Sequence, residues 1–394
     1  MTFPDVFVLS AVRTAIGSYG GSLKDVPLAQ LATAPVAAAI QRSGIAPADV
    51  GHLVMGSVVP TEPRDAYLSR VAAIEAGIPQ EAPAFNVNRL CGSGLQAIIS
   101  AAQSIALGDA DIAIGAGAES MSRGIYASTT TRSGARMGDT QLLDYVTGVL
   151  HDPFHRIHMG ITAENVASRY GISREQQDAL ALESQRRAAR ALAEGRFSGQ
   201  IVAVELKSRG GTRLFEADEH VRADASAEQL AAMKPVFDKQ GTVTVGNASG
   251  INDGAGALVL ASGKAVKERG LKPLARLVAY AHAGVEPAYM GIGPVPATRR
   301  VLERTGLTVA DLDVIEANEA FAAQACAVAR ELAFDPEKVN PNGSGISLGH
   351  PIGGTGAIIA TKAIHELHRI GGRYALVTMC IGGGQGIAAI FERC

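Results

Sequence analysis

The chain has 394 residues, 47% of them apolar and 19% charged, with 45 glycines and a formal net charge of −2. That length exceeds one ordinary core and predicts two or three compact units. The near-neutral charge offers no basic stripe for nucleic acid and no acidic or basic tail, so small-molecule chemistry is favoured over a nucleic-acid partner.

In chain order, the opening Met1–Leu9 lacks the basic region and cleavage site of a signal peptide and predicts a strand, so a cytoplasmic location is expected. Apolar runs such as Leu31–Ile40 are short and contain proline, well below the ~20 residues that span a bilayer, so no membrane helix or membrane partner is expected. The cysteines at 91, 326, 380 and 394 form no C-x-x-C pair and are expected to be reduced.

The stretch from Asn88 to Ile98 presents a cysteine where a helix begins. From Leu95 the apolar residues recur as Ile98, Ile99, Ala102, Ile105 and Ala106, the spacing of one buried helical face. Cys91 thus sits at an amino end, where unpaired N–H groups and the helix dipole are expected to lower a thiol's pKa. The glycines after it are expected to let a substrate approach the backbone. The competing reading is a small core cysteine beside a turn.

Asp111–Gly115 predicts a strand entering a glycine-rich turn. The following Gly115–Ser120 has two of the three glycines of a dinucleotide loop but no acidic residue at the expected distance, so no nicotinamide cofactor is expected. His151, His155 and His158 cluster, yet nothing fixes a further ligand, and no metal is expected. Arg174–Glu194 predicts a helix with Ser173 and Gln176 as a capping box and Gly195 as its stop. Arg186, Arg187 and Arg190 on it read as a solvated face.

A repeat becomes visible when Ser43–Val50 is set against Thr305–Leu312, at an offset of 306 − 44 = 262. The same offset aligns Gly92-Ser93-Gly94 with Gly354-Thr355-Gly356, each before an apolar helix and then a strand, Asp111–Gly115 or Tyr374–Thr378. Two copies of alternating strand and helix predict a pseudo-twofold α/β core. The stretch from Glu119 to about Ser249 has no counterpart in the second copy and reads as an insertion of ~130 residues. After it, Val243–Gly250 leads into a strand at Ala257–Leu260 that completes the first half. Expected units are therefore residues 1–118 with 250–270, an inserted 119–249, and 271–394.

Three stretches of the second copy concentrate polar groups or glycines. Asn318–Gln324 follows the strand Val314–Ala317, and Asn318 reads as either a helix cap or a site residue. Gly349–Gly356 sets His350 among glycines before a helix, a candidate base or donor. Cys380–Gly386 ends a strand in a glycine-rich turn.

Taken together and in this order, NRLCGSG around Cys91, NEAFAAQ from Asn318, GHPIG from Gly349 and CIGGGQG from Cys380 resemble the thiolases. The similarity runs from Val12–Gly17 to the last strand. It implies a five-layered α/β/α/β/α core of two duplicated halves, an inserted loop domain that binds coenzyme A, and a homotetramer built as a dimer of dimers. Implied chemistry is the joining of two acyl-CoA molecules, or cleavage of a 3-ketoacyl-CoA by CoA, with CoA a substrate and no permanently held cofactor. The resemblance makes Cys91 the nucleophile, His350 its base, Cys380 the base for carbon deprotonation and Asn318 the holder of a water. The N–H groups of Cys91 and Gly382 would form an oxyanion hole.

It places His158, Met159, Arg222, Phe237 and Ser249 along CoA, with Met290 and Phe321 nearer the acyl group. Where relatives often carry serine seven positions after the arginine, this chain has Gln229. Asn342–Ser347 and His151–Phe154 look most like the bacterial β-ketothiolases that supply polyhydroxyalkanoate synthesis. Gly343-Ser344-Gly345, where many have Gly-Gly-Ala, and Gly354, where alanine is usual, are expected to alter the acyl pocket. Alternatives are a degradative thiolase of fatty-acid β-oxidation, a 3-ketoacyl-carrier-protein synthase, and a non-enzymatic lipid carrier.

Overall fold

The computed structural model describes residues 5–208 and 211–394. Met1–Pro4, where the opening strand was expected to start, lie outside the described residues. Strand β1 (Val6–Thr14) leads through α1 (Leu28–Ser43), β2 (His52–Gly56), α2 (Leu68–Glu75), β3 (Ala84–Val87) and α3 (Ser93–Leu107) to β4 (Ile112–Ser120). A long segment carrying α4 (Met159–Tyr170) and α5 (Arg174–Ala193) follows. Then β5 (Asn252–Ser262) returns antiparallel to β4. The pattern recurs as β6 (Ala275–Gly284), α6 (Pro294–Thr305), β7 (Val314–Ala317), α7 (Ala322–Glu331), α8 (Thr355–Ile370), β8 (Tyr374–Ile381) and β9 (Gln385–Arg393).

These strands hydrogen-bond in the order β7-β8-β9-β6-β1-β5-β4-β2-β3. The halves join where β1 pairs antiparallel with β6, Val6 opposite Leu277 and Val8 opposite Ala275. Pairing register repeats with the sequence: Met55 faces Ala116 in one half and Ala317 faces Thr378 in the other, both partners displaced by 378 − 116 = 262. Helices α1 and α6 both stop at a left-handed glycine, Gly44 with φ 76° and Gly306 with φ 70°, a conformation a side chain would strain.

Three apolar interiors separate the layers. Leu31, Val36 and Ile40 of α1 pack on one face of the first half-sheet. Ile98 and Ala102 of α3 and Ile359 and Ala363 of α8 fill the middle between the half-sheets. Val301 and Leu302 of α6 cover the outer face of the second. Burying each such large aliphatic side chain contributes roughly 1.5–3 kcal/mol. The result is the five-layered α/β/α/β/α architecture. Leu90–Leu107 is long and apolar enough to cross a membrane by composition, and here it contains the middle-layer helix α3, whose Leu95, Ile98, Ile99 and Ala102 are buried against the sheets.

Several expectations change. The glycines after Cys91 serve helix packing, not substrate approach: a Cβ on Gly94 would lie 2.7 Å from Ala357 N, one on Gly356 2.1 Å from Leu95 N, and one on Gly92 2.6 Å from Ile381 Cδ1. Strand β4 runs through to Ser120 rather than turning at Gly115. Gly115 and Gly117 stay small inside it because Ile98 Cα and Gly353 O would lie 2.4 and 2.5 Å from their Cβ atoms. Helix α5 begins at the expected Ser173–Gln176 box. Arg187 on it is not solvated; it donates to Glu183 Oε1 and to the carbonyls of Pro336 and Val339, while Arg186 and Arg190 are exposed.

The segment between β4 and β5 is tied to β1 by a buried ion pair. Arg13 donates to both Asp218 oxygens at 2.8 and 2.9 Å and to Gln200 Oε1 at 2.7 Å, with its guanidinium 4.8 Å from the Phe197 ring. Removing one partner would leave an uncompensated buried charge, so this contact fixes the chain four residues before Arg222.

Candidate active site

Cys91 lies in the turn between β3 and α3, before the helix proper, which starts at Ser93. Leu90 holds φ at 45°, uncommon for a side chain of its size. The turn is locked locally: Leu90 N–H donates to Asn88 Oδ1 at 2.9 Å, Arg89 N–H to Ser93 Oγ at 2.8 Å, and Ser93 Oγ–H to Leu90 O at 2.6 Å. The backbone N–H groups of Gly382 and of Cys91 itself favour the charged form of the sulfur.

The expected lowering of the Cys91 pKa is overturned. Burial among Leu90, Val58, Val59 and Ile352 pushes the thiol up to about 11, against the two backbone donors, and the Glu119 carboxyl adds to the rise. The residue is partly open to a cavity, but that cavity's walls are apolar, so loss of hydration outweighs the helix amino end. The resting group is a thiol.

His350 is buried in the turn ahead of α8, its N–H donating to Asn252 Oδ1 at 2.9 Å. Gly349, with φ 106°, leaves space that a Cβ would take from the Asn252 amide at 2.4 Å. Thr355 Oγ1 donates its proton to Pro351 O at 2.8 Å, so at 2.6 Å from His350 Nδ1 it can only accept. That network assigns the ring proton to Nδ1 and makes Nε2 the acceptor. Burial lowers the imidazole to about 4, so it is neutral at pH 7.

Asn318 Nδ2 stands 3.5 Å from that Nε2, and Asn318 Oδ1 is buried with no protein partner. Asn318 does not cap the following helix: α7 starts at Ala322 behind Phe321. Cys380 is buried near the end of β8, and burial followed by the proximity of Cys91 drives its pKa upward.

Beside these groups lies a cavity of about 500 Å³. Cys91, His350 and Gly382 line it, with His158, Met159, Arg222, Phe237, Ser249, Met290 and Phe321. Asn318 and Cys380 are absent from its wall and are buried. His158 caps α4 by accepting from Gly160 N–H at 3.0 Å and stacks on Phe237 with ring centres 4.6 Å apart, so its partners are a backbone amide and an aromatic face. Among the described residues no group of three His, Cys, Asp or Glu is arranged to hold a metal.

Gln229 spends its amide capping a short helix by accepting from Ser226 N–H at 3.0 Å. Gly343-Ser344-Gly345 and Gly354 do not line the cavity; Gly354 packs against Gly254 O. Sequence reading missed the apolar wall beside Cys91, formed by Leu90, Met121, Val149, Leu150 and Ile352, and also His220. Their types are ordinary core types, and no spacing marks them.

The first 6–264 residues match the model of the thiolase N-terminal domain and residues 271–393 that of the thiolase C-terminal domain. A β-ketothiolase, BktB, from Cupriavidus necator is 65% identical over 99% of each chain. An acetyl-CoA acetyltransferase from Chromobacterium violaceum is 50% identical over 99% of this chain and all of its own. The crystal structure of human mitochondrial 3-ketoacyl-CoA thiolase in complex with CoA superposes with a TM-score of 0.97, at 43% identity, over 100% of this chain and 99% of that one. The chain belongs to the thiolase family and is an acyltransferase.

Proposed function

We propose that this thiolase is a β-ketothiolase, an acetyl-CoA C-acyltransferase that joins two acyl-CoA molecules to a 3-ketoacyl-CoA and runs the cleavage in reverse. The observation that carries this reading is that Cys91, Gly382 and His350, its ring proton assigned to Nδ1 by Thr355, line one apolar cavity that has Arg222 among its lining residues. Coenzyme A and acyl-CoA are substrates here. The motifs at Asn342–Ser347 and His151–Phe154, which resemble those of bacterial β-ketothiolases of polyhydroxyalkanoate synthesis, together with 65% identity to a β-ketothiolase, favour a supply role for that synthesis over fatty-acid breakdown.

Since thiol and imidazole are both neutral at rest, no thiolate is stored. The Cys91 proton moves to His350 Nε2 as sulfur attacks the thioester, and the N–H groups of Cys91 and Gly382 take the developing oxyanion. The departing CoA sulfur takes the Cys380 proton, which leaves acyl-Cys91, an imidazolium and a Cys380 thiolate. Burial makes that thiolate a strong base, suited to removing a proton from the carbon beside the second thioester. The imidazolium, with a water held by Asn318, then donates to the enolate oxygen. The enolate carbon attacks acyl-Cys91, whose sulfur leaves and regains its proton from His350. Charges and protons balance over the cycle.

The enzyme should cleave acetoacetyl-CoA and 3-ketovaleryl-CoA with free CoA and condense acetyl-CoA without any carrier protein. A strict requirement for an acyl-carrier protein, or no turnover of either 3-ketoacyl-CoA, would overturn the reading. We propose the same homotetramer that the family resemblance implies, and light scattering of the purified protein would test it.

A further inference from the structure

One buried carboxyl plays no part in that cycle. Glu119 stands next to last in β4, with no solvent exposure. Val58 N–H donates to both of its oxygens at 3.3 and 3.2 Å, Val59 N–H to Oε1 at 3.0 Å, and Gly353 N–H to Oε2 at 2.8 Å. The first two amides follow β2 in one half of the fold, and the third belongs to the turn before α8 in the other. We infer that Glu119 is a positioning residue for the reaction, a clamp that fixes the His350 turn of one half against the loop that backs Cys91 in the other.

Gly353 comes three residues after His350 and two before Thr355, the acceptor that sets the imidazole tautomer. A Cβ at position 353 would lie 2.6 Å from Glu119 Oε2, so the glycine is what permits the carboxylate to reach the amide. At the other end, Val58 and Val59 pack in one cluster with Ile352, Leu90 and Cys91. A shift of either loop therefore moves the nucleophile's wall or the base.

Two observations separate this from ordinary fold stabilisation. The position equivalent to Glu119 in the second half is Ile381 (381 − 119 = 262), whose Cδ1 and Cγ1 would lie 2.6 and 3.1 Å from a Cβ on Gly92, the residue next to Cys91, which is the counterpart of Gly353. The fold thus closes the related corner without a carboxyl. Burial also pushes Glu119 up to about 8, against the three donors and helped by Asp253, so a costly group is kept where an apolar one suffices elsewhere.

Resting on the thiolase reading, the test is steady-state thiolysis of acetoacetyl-CoA by the full-length parent and Glu119→Gln. Glutamine offers one acceptor and one donor to loops that both donate, so it can hold only one of them. Expected is a fall in kcat of about tenfold to a hundredfold. KM for CoA should stay within about twofold, because Arg222, Phe237 and Ser249 lie along the cavity and not on either clamped loop. Glu119→Asp, still a carboxyl but one methylene too short to span both loops, should show the same split and serves if the glutamine variant fails to fold. Parent-like kcat in a folded variant overturns the proposal, as does a kcat that returns to the parent value once it is corrected for the fraction of folded protein. A parent without thiolysis overturns the functional reading and this proposal with it.

Discussion

The duplicated fold builds the same corner twice, and only one corner carries the reactive groups. Cys91 corresponds, 262 positions on, to Gly353; His350, Cys380 and Asn318 correspond, 262 positions back, to Asn88, Ala118 and Gly56. Strand register and helix starts agree between the two. At the first corner Asn318 stands against His350 and Cys380 near Cys91, beside a cavity that Cys91 and His350 line. At the second, three of the same backbone positions carry only glycine or alanine, Asn88 is spent on Leu90 N–H, and the Gly353 amide is spent on Glu119. The scaffold of a helix start beside a strand end is therefore not what makes a site. What differs is which side chains project from it and whether its amides remain free to meet a substrate.

The largest expected effect removes that difference at its centre. Cys91→Ser should abolish acyl-enzyme formation and lower turnover by about 10⁴-fold or more, read by trapping labelled acetyl on the protein. Acetyl trapped on the serine at the parent rate would erase the distinction between the corners. Cys380→Ser should still acylate at Cys91 yet lose exchange of the acetyl-CoA methyl protons, with turnover down roughly 10²–10⁴-fold. Undiminished exchange by NMR in deuterated water would take the carbon-base role away from Cys380.

The repeat was legible in the sequence because its helix stops and helix starts use glycine for steric reasons that cannot be met otherwise, as at Gly44 and Gly306. The four motifs stood out because polar groups and glycines broke apolar runs. The protonation state of Cys91 was not legible: a helix amino end is local and visible in sequence, whereas the apolar wall that reverses its effect comes from five separated stretches around Leu90, Val58, Met121, Val149 and Ile352. Reading the glycines after Cys91 as space for a substrate failed for a related cause. Their neighbours, Ala357 and Ile381, are more than 260 positions away in the chain. Glu119 was likewise read as no more than the first residue of the insertion, because its partners are backbone amides, which sequence does not distinguish.

A smaller effect tests the tautomer. Thr355→Val removes the acceptor of His350 Nδ1–H, which favours the proton on Nε2 and denies the thiol its base; kcat should fall about tenfold, the scale of one buried hydrogen bond. In the parent the depressed imidazole keeps its base form down to about pH 4. The acid limb of kcat/KM should therefore fall near pH 4 and not near the ordinary histidine value, since the group works deprotonated and is lost only as pH drops through its folded pKa. An acid limb near 6.5 would mean that His350 is far better hydrated than its burial indicates.

The smallest expected effect comes from the silent corner. Asn88, the counterpart of His350, accepts Leu90 N–H and so helps to hold the positive φ ahead of Cys91. Its contribution to the reaction is geometric: Asn88→Ala frees one backbone amide and relaxes the turn, but Ser93 still bridges Arg89 and Leu90. One lost hydrogen bond of about 1 kcal/mol, partly compensated, corresponds to a decrease in kcat of about threefold. KM for CoA should be unchanged. A loss as large as that of Cys380→Ser would show that Asn88 takes part in the chemistry and that the two corners are less unequal than their side chains indicate.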